Sequence, residues 1–291
     1  MNKLTSPRTI RDIMDRYGFK FSKRYGQNFI IDEHVLDKIV EGAHITKEDA
    51  VLEIGPGIGV MTNTLCEAAG QVVSVEIDKT LMPVLSETVG HHENLHIIEG
   101  DILKIDIKDL FERHFKTKRP KLVANLPYYV TTPIIMKFLE EHIPVTDLVI
   151  MIQKEVADRI LASPSTSDYG ALSVAVQYFT EPSIVTRVSR DSFMPAPNVD
   201  STVLRLKVRD KSPVKLADET VFFMTVKDGF GKRRKTLLNA LTGGFLGLTR
   251  DQANEALACS GISPQLRAET LGIEEFATLS NCIVDVIGAL K

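Results

Sequence analysis

A short apolar segment near residue 50 ends in three alternate glycines, and this feature constrains the fold more than any other. Residues 51–59 read V-L-E-I-G-P-G-I-G, which predicts a buried strand and a tight turn, and residues 61–69 have the apolar spacing of a helix. Because glycine lacks a Cβ, such a turn lets the backbone touch a flat ligand closely. Strand–helix alternation continues over residues 51–154 and predicts an α/β fold, a doubly wound and mostly parallel sheet with helices on both faces.

Polar residues follow the next predicted strands. The strand at 72–76 ends in Glu76, about 20 residues after Gly55, the spacing at which such a sheet places a carboxylate against ribose hydroxyls. Asp101 and Asn125 follow the next two strands, so a pocket lined by these residues is expected at one edge of the sheet. The spacing G-x-G-x-G, instead of the G-x-G-x-x-G of dinucleotide enzymes, favours a nucleoside without phosphates and disfavours a nicotinamide-linked oxidoreductase.

The tetrapeptide N-L-P-Y at residues 125–128 follows an apolar strand and indicates a site for a planar amine. Alkylation of such an amine requires carbonyl oxygens that accept its N–H groups and an aromatic face that stacks on its ring. Asn125 offers a side-chain carbonyl, Leu126 and Pro127 offer backbone carbonyls, and Tyr128 offers the face. In isolation the tetrapeptide would be better interpreted as a strand end closed by a proline turn. Its place after the glycine turn and the two acids favours the amine site.

Taken together, these segments resemble the small-subunit ribosomal RNA adenine dimethyltransferase family, which uses S-adenosylmethionine. The resemblance extends over nearly the whole chain, and its further segments are K-R-Y-G-Q-N-F-I at 23–30, Q-K-E-V-A-D-R at 153–159, F-M-P-A-P-N-V-D-S at 193–201, F-G-K-R-R-K-T-L at 230–237 and R-A-E-T-L at 267–271. Tyr25 and Ile30 are mild departures from the family pattern. The resemblance implies a Rossmann-like S-adenosylmethionine-dependent methyltransferase sheet followed by a small all-helical C-terminal domain.

The resemblance also implies roles for individual residues. The residues expected to bind the cofactor are Gly26, Asn28, Ile30, Gly55, Gly57, Gly59, Glu76, Asp101 and Asn125. The residues expected to hold the target adenine for methyl transfer are Asn125, Leu126, Tyr128 and Phe193. Among the cofactor residues, Glu76 is expected to accept the ribose hydroxyls, Asp101 the adenine amine, and Asn28 with Gly26 to close over the methionine end. No metal site is expected.

The charge of the chain is uneven. Its net charge is only -3, but residues 1–24 carry seven Lys or Arg and two Asp, and residues 232–235 are four consecutive cations. Phosphate contacts require local positive charge and not a basic average. The residues expected to contact RNA are therefore Lys23, Arg24, Lys232, Arg233, Arg234 and Lys235. The alternative for such a run is a solvated helix face.

A charged, proline-containing segment at residues 209–213 marks a predicted domain boundary. We expect a catalytic domain with a basic N-terminal extension at 1–210 and a helical RNA- or ribosome-binding domain at 211–291. The helices predicted in the second domain cover residues 218–241, 249–260 and 273–290.

The cysteines Cys66, Cys259 and Cys282 fit no zinc spacing and no disulfide framework, which predicts a reducing, cytoplasmic location. No stretch of the sequence is long and apolar enough to cross a bilayer. Nothing in the sequence suggests more than a monomer.

The function implied by the resemblance is transfer of methyl groups to N6 of adenines, two adjacent ones each dimethylated, in small-subunit ribosomal RNA of an assembling subunit. One alternative is a large-subunit ribosomal RNA adenine methyltransferase of the antibiotic-resistance type. A second is a ribosome-assembly factor in which catalysis is incidental. A DNA adenine methyltransferase is disfavoured, because that class usually carries Asp-Pro-Pro-Tyr and a separate domain that reads the target.

Overall fold

Strands and helices alternate along the first half of the chain, as the sequence predicts. The computed structural model describes residues 3–19, 21, 26–115, 119–232 and 234–288. The strands are β1 (Phe29–Ile30), β2 (Ala50–Ile54), β3 (Gln71–Glu76), β4 (Leu95–Glu99), β5 (Lys121–Asn125), β6 (Asp147–Gln153), β7 (Thr180–Val188), β8 (Phe193–Met194) and β9 (Ser201–Val208). The helices are α1 (Pro7–Tyr17), α2 (Glu33–Gly42), α3 (Val60–Ala68), α4 (Met82–Thr88), α5 (Ile107–His114), α6 (Thr131–Glu140), α7 (Lys154–Leu161), α8 (Ala171–Phe179), α9 (Glu219–Gly231), α10 (Leu237–Leu241), α11 (Arg250–Ser260) and α12 (Ile273–Gly288).

The predicted sheet has seven strands in the order β4-β3-β2-β5-β6-β9-β7. Strand β2 is an inner strand and pairs in parallel with β3 on one side and with β5 on the other. All five residues of β2 are buried, which is why this strand is an unbroken apolar run with one acid instead of an alternating pattern. Because the chain leaves β2 in one direction and returns on its other side, the strand order reverses there, and ligands bind at such a switch point. The α/β prediction is confirmed.

The end of the sheet beyond β6 is built by β9 and β7. Strand β9 runs antiparallel to β6, and β7 lies next to it at the edge. A separate two-stranded ladder pairs β1 with β8, with Ile30 opposite Phe193 and Phe29 opposite Met194. This ladder connects two motifs that lie far apart in the sequence.

The chain divides into two compact units at positions that only partly match the predicted boundary. One unit comprises Met1–Ala157 and Glu181–Val208, and the other comprises Asp158–Thr180 and Arg209–Lys291. The second change of unit, after Val208, lies close to the expected division at residue 210. Residues 158–180, which the sequence placed with the first domain, instead belong to the second unit.

Aromatic packing explains why α8 belongs to the second unit. The Phe179 ring stacks on Phe223 of α9 with centroids 5.3 Å apart, and the Tyr178 ring lies 5.1 Å from Phe222. The Tyr178 hydroxyl also donates to the Glu219 carboxylate at 2.8 Å. Because burial of aromatic surface dominates core energetics, α8 packs with the helix whose aromatic residues it meets, although it lies between sheet strands in the sequence.

The C-terminal helices differ from the prediction in two respects. The helix expected over 218–241 is interrupted, because α9 ends at Gly231 and α10 begins at Leu237. The expectation that no cysteines pair is wrong: α11 packs against α12, and Cys259 and Cys282 form a disulfide with Cα atoms 6.0 Å apart. Cys66 is free and buried. No helix in the described ranges is long and apolar enough to span a membrane.

Candidate active site

A cavity opens at the carboxyl ends of the central parallel strands, where the strand order reverses. It collects residues from five sequence segments that are far apart in the chain. The predicted cofactor residues that line it are Gly26, Asn28, Ile30, Gly55, Gly57, Glu76, Asp101 and Asn125. Gly59 is the one member of that predicted set that is absent from the lining. The site is thus where the fold class places ligands.

The three glycines of the turn have different structural roles. All three have positive φ, at +72° for Gly55, +63° for Gly57 and +88° for Gly59, a conformation that side chains rarely adopt. A Cβ on Gly55 would meet nothing within 4 Å, so this position faces open space in the cavity. A Cβ on Gly57 would lie 2.8 Å from the Phe29 ring, and one on Gly59 would lie 2.7 Å from Val89. Gly59 therefore permits helix packing, whereas Gly55 leaves room for a ligand.

The Glu76 carboxylate is held in a fixed orientation at the end of β3. Its Oε2 accepts the Gly57 N–H at 3.1 Å, and its Oε1 accepts the Asp78 N–H at 2.8 Å. Burial raises the pKa of Glu76, and these two backbone hydrogen bonds oppose the rise. Each carboxylate oxygen has a further lone pair, so the two oxygens together can accept hydrogen bonds from the two hydroxyls of a vicinal diol.

Asp101 lies beside the same cavity at the turn after β4. Its Oδ1 accepts the Leu103 N–H at 3.0 Å, and Lys104 Nζ lies 3.6 Å from its Oδ2. The side chain is partly exposed, so its unused lone pairs remain available to an amine donor in the cavity.

The amide of Asn125 has its nitrogen bonded, whereas its oxygen has no hydrogen-bond partner among the described residues. Its Nδ2 donates to the Asn28 carbonyl at 3.0 Å, and Asn28 Nδ2 in turn donates to the Gly26 carbonyl at 3.1 Å. This chain of bonds orients Asn125 so that Oδ1 is its remaining acceptor. The same bonds attach the segment with Gly26 and Asn28 to the end of β5.

The loop after Asn125 offers fewer free carbonyls than the sequence suggested. The Pro127 carbonyl accepts both the Val130 N–H at 3.1 Å and the Thr131 hydroxyl at 3.2 Å, so it caps α6 and is not available to a ligand. The Leu126 N–H donates to the Met151 carbonyl at 3.2 Å, whereas no hydrogen bond within the described residues reaches the Leu126 carbonyl. Two acceptors therefore remain next to each other, Asn125 Oδ1 and the Leu126 carbonyl.

The two aromatic residues expected at the target base lie outside the cavity lining. The hydroxyls of Tyr128 and Ser201 are hydrogen bonded at 3.2 Å, which restrains a half-buried Tyr128 ring. Phe193 is buried and lies opposite Ile30 in the β1–β8 ladder. The structure therefore brings Phe193 to the backbone of the cofactor segment.

Sequence reasoning missed the apolar walls of the cavity. Ile77 and Ile102 each follow one of the two predicted acids directly and line the cavity, and Ile77 keeps an exposed side chain. The signal was present, because a residue next to a pocket-lining acid at a strand end is placed by the same turn. Gln27 and Tyr129, neighbours of predicted site residues, also line it. Gln27 Nε2 donates to Asp78 Oδ2 at 2.9 Å.

A further acid, Glu53 of β2, is fully buried within the sheet. It has 0% exposure, and its Oε2 accepts the Ser74 hydroxyl at 2.6 Å. Burial raises the pKa of this carboxyl to about 7. Glu53 does not line the cavity, and its hydrogen bond to Ser74 joins β2 to β3.

The predicted basic residues are only partly within the described ranges. Lys232, Arg234 and Lys235 follow α9 and have exposed side chains. Lys23, Arg24 and Arg233 lie outside the described residues.

Comparisons with known proteins agree with this geometry. The sequence model of the family described as "Ribosomal RNA adenine dimethylase" matches residues 18–285. Proteins named ribosomal RNA small subunit methyltransferase A are similar over nearly the whole chain. That of Alkaliphilus oremlandii is 53% identical over 281 residues, which cover 97% of this chain and 98% of the relative. That of Clostridioides difficile is 52% identical over 283 residues, with the same coverage.

Two solved structures have the same fold. A dimethyladenosine transferase from Plasmodium falciparum superimposes with a TM-score of 0.70 at 26% identity, covering 86% of this chain and 95% of that one. The 23S rRNA methyltransferase ErmE superimposes with a TM-score of 0.66, also at 26% identity, covering 88% of this chain and 99% of that one. The fold is thus shared by a dimethyladenosine transferase and by an enzyme named for 23S rRNA, whereas the relatives at 53% and 52% identity are named for the small subunit.

Proposed function

This chain belongs to the ribosomal RNA adenine dimethylase family, and we propose that it transfers methyl groups from S-adenosylmethionine to N6 of two adjacent adenines in small-subunit ribosomal RNA. The relatives at 53% and 52% identity carry the small-subunit name, which supports this choice over the large-subunit alternative. The observation that carries the chemistry is the free Oδ1 of Asn125 next to the free Leu126 carbonyl.

The cavity fits S-adenosylmethionine in the distribution of its polar groups. The orientation of Glu76 leaves two acceptors for the ribose diol, and Asp101 has acceptors for the adenine amine. Ile77 and Ile102 offer apolar surface for the adenine faces. The missing Cβ of Gly55 leaves space for the nucleoside, and Asn28, which also lines the cavity, is assigned to the methionine end. When bound, the cofactor supplies an electrophilic methyl group on a sulfonium.

The residues of this chain prepare the target amine. The N6 lone pair of adenine is delocalised into its ring and is a poor nucleophile. Two N–H donors on N6 match two acceptors, Asn125 Oδ1 and the Leu126 carbonyl, and these hydrogen bonds localise the lone pair toward the methyl group. Tyr128, restrained by Ser201, stacks on the base. Such positioning can remove roughly 7–11 kcal/mol of the barrier.

No strong general base is required, because the cationic product amine loses its proton readily. After the first transfer only one N–H remains, so only one of the two acceptors is used in the second round. Phe193 contributes from behind the cofactor segment, by holding Ile30 and the residues before it against the cavity.

The substrate side of the proposal rests on charge and on base accessibility. The exposed cations Lys232, Arg234 and Lys235 of the helical C-terminal region contact phosphates, and the adenine is unstacked before its amine enters the site. We assign residues 1–210 to catalysis, apart from the helical segment 158–180, and residues 211–291 to RNA or ribosome binding. The proposal includes a monomer that acts on an assembling subunit in the cytoplasm, where ribosomal RNA is processed.

The test uses labelled S-adenosylmethionine with small subunits that lack adenine dimethylation, and large subunits in parallel. The wild type is expected to form N6,N6-dimethyladenosine in small-subunit RNA only. Asn125→Ala is expected to lose about 10²- to 10³-fold in the rate of transfer, the usual loss for one preorganised hydrogen-bonding group in an active site. The matched control is Asn254→Ala, an exposed amide of α11, which is expected to behave as wild type.

Each other result selects an alternative. Label in large-subunit RNA would select the antibiotic-resistance type of enzyme. Tight binding to small subunits without label in either RNA would leave an assembly factor and remove the enzymatic proposal.

A further inference from the structure

The loop between α10 and α11 presents an aromatic side chain to solvent. Residues 242–248 read T-G-G-F-L-G-L, and Phe245 in their middle is 67% exposed, more than any other large apolar residue in the described ranges. The loop is closed at its base by a bridge between Thr242 and Leu248. It belongs to the unit that contains α9 to α12.

A buried carboxylate holds this loop in place. Asp228 of α9 is only 3% exposed, and its Oδ1 accepts the Phe245 N–H at 2.6 Å while its Oδ2 accepts the Leu246 N–H at 3.0 Å. Gly244 packs so closely on this carboxylate that a Cβ there would overlap it, and Gly243 and Gly247 both have φ of +66°. Burying a carboxylate is costly unless hydrogen bonds compensate it, so this support is specific to the loop conformation.

One cation lies against the Phe245 ring, and three more lie close to the loop in the sequence. Lys227 Nζ lies 3.8 Å from the centroid of its ring, in position for a cation–π contact on one face. Exposed Lys232, Arg234 and Lys235 precede α10, and the loop follows it. Since α10 has only five residues, about 7.5 Å of helix separates the cations from the loop.

We propose that Phe245 is a stacking platform for an unpaired base of the RNA substrate, with the flanking cations on the adjacent phosphates. Proteins that bind single-stranded nucleic acid combine aromatic side chains with a positively charged track in this way. A protein partner would use the exposed ring equally well, but it would not require Lys227 on the ring or the cations that precede α10. The inference deepens the proposed function, because it assumes that the substrate is ribosomal RNA.

The test exploits the absence of tryptophan from this chain. Phe245→Trp introduces a single tryptophan at the proposed platform, and its emission reports stacking directly. We expect protein-free small-subunit ribosomal RNA to quench this emission and Phe245→Trp to bind the RNA at least as tightly as wild type. Phe245→Ala and Phe245→Leu are expected to bind it about 5- to 100-fold more weakly, the range for loss of one stacked base.

Two further readouts separate stacking from a merely structural role. The dependence of RNA affinity on salt concentration is expected to be unchanged in Phe245→Ala, because no phosphate contact is removed. Transfer to saturating RNA is expected to proceed at the wild-type rate. The control is Leu266→Ala, which removes another exposed apolar side chain of the same unit and is expected to bind RNA as wild type does.

Wild-type RNA affinity in both Phe245→Ala and Phe245→Leu would overturn the proposal. So would a tryptophan emission that protein-free RNA leaves unchanged but intact small subunits alter, since that result would indicate a protein partner. Failure of the proposed function would give a different result. The wild type would then bind RNA without methylating it, and Phe245→Ala and Phe245→Leu would still bind that RNA more weakly than the wild type.

Discussion

At the scale of single residues, the site depends on which lone pairs are already occupied. The Asn125 side chain can present its oxygen to a ligand because its nitrogen already donates to the Asn28 carbonyl. The Pro127 carbonyl cannot accept a hydrogen bond from a ligand because it already accepts two at the start of α6. The orientation of the Tyr128 ring likewise depends on a hydrogen bond, because its hydroxyl is hydrogen bonded to that of Ser201, a buried residue of β9. In the proposed mechanism Ser201 is therefore a positioning residue that acts through the Tyr128 ring.

The hydrogen bond between Tyr128 and Ser201 can be tested by a double-mutant cycle. Tyr128→Phe keeps the stacking face and Ser201→Ala keeps the strand, so each removes the bond alone. Each is expected to lower kcat/KM by about 2- to 12-fold, the value of one neutral hydrogen bond. Because both changes remove one interaction, the double variant is expected to be no worse than either single variant. Additive losses would show that the two hydroxyls act independently.

The buried Glu53 makes stability depend on pH. Burial raises its pKa in the folded protein from the ordinary 4.5 to about 7, so the folded state binds its proton more tightly than the unfolded chain. The contribution of protonated Glu53 to the free energy of unfolding is therefore fully present below pH 4.5, and it is lost as the pH rises through 7. It amounts to about 3 kcal/mol, at 1.36 kcal/mol for each unit of pKa.

Glu53→Gln, which resembles the protonated acid, isolates this contribution. Urea unfolding at pH 5 and at pH 8 is expected to show a larger pH-dependent loss in the wild type than in the variant. The variant is expected to be the more stable of the two at pH 8. An equal pH dependence in both proteins would contradict the assignment.

At the scale of elements, the glycine turn separates ligand binding from packing within five residues. Gly55 faces the open cavity, whereas Gly59 lies against Val89 beside α4. The β1–β8 ladder has a comparable function, because it joins the segment of Asn28 to that of Phe193. Neither relationship follows from the local sequence.

The pair Gly55→Ala and Gly59→Ala tests this separation. Both place a side chain at positive φ, which costs about 1–2 kcal/mol of folding stability. The overlap with Val89 adds about 1–3 kcal/mol to the cost of Gly59→Ala alone. The Cβ of Gly55→Ala instead projects into the space proposed for the ligand. An overlap of this Cβ with the ligand, at the same cost as the overlap with Val89, weakens S-adenosylhomocysteine binding by about 5- to 100-fold. Calorimetric titration and urea unfolding of both variants are the measurements; equal ligand affinities would contradict the assignment.

At the scale of the whole molecule, the distribution of charge matters more than its sum. A chain with a net charge of -3 binds a polyanion if its cations are grouped, and Lys232, Arg234 and Lys235 form such a group in the described part of the chain. The helical unit that carries this group includes α8, so the polypeptide crosses between its two units more than once.

Replacing these three cations by glutamine is expected to flatten the salt dependence of RNA affinity. Each lost phosphate contact lowers the slope of log affinity against log salt by about 0.7 for a single strand and about 0.9 for a duplex, so the triple variant should lose between about 2 and 3. Lys211→Gln, an exposed lysine of the same unit outside the cluster, serves as the control. An unchanged slope in the triple variant would place the phosphate contacts elsewhere.

The sequence by itself determined the α/β class, the strand ends that carry Gly55, Glu76, Asp101 and Asn125, and the family. These features are encoded locally, because an apolar run and the turn residue after it specify a buried strand and its end whatever the rest of the chain does. Its failures concern contacts between distant segments: the unit that α8 joins, the Cys259–Cys282 disulfide and the occupied Pro127 carbonyl. Only the tertiary structure decided these, because packing of one element against another selects which lone pairs, thiols and aromatic faces meet.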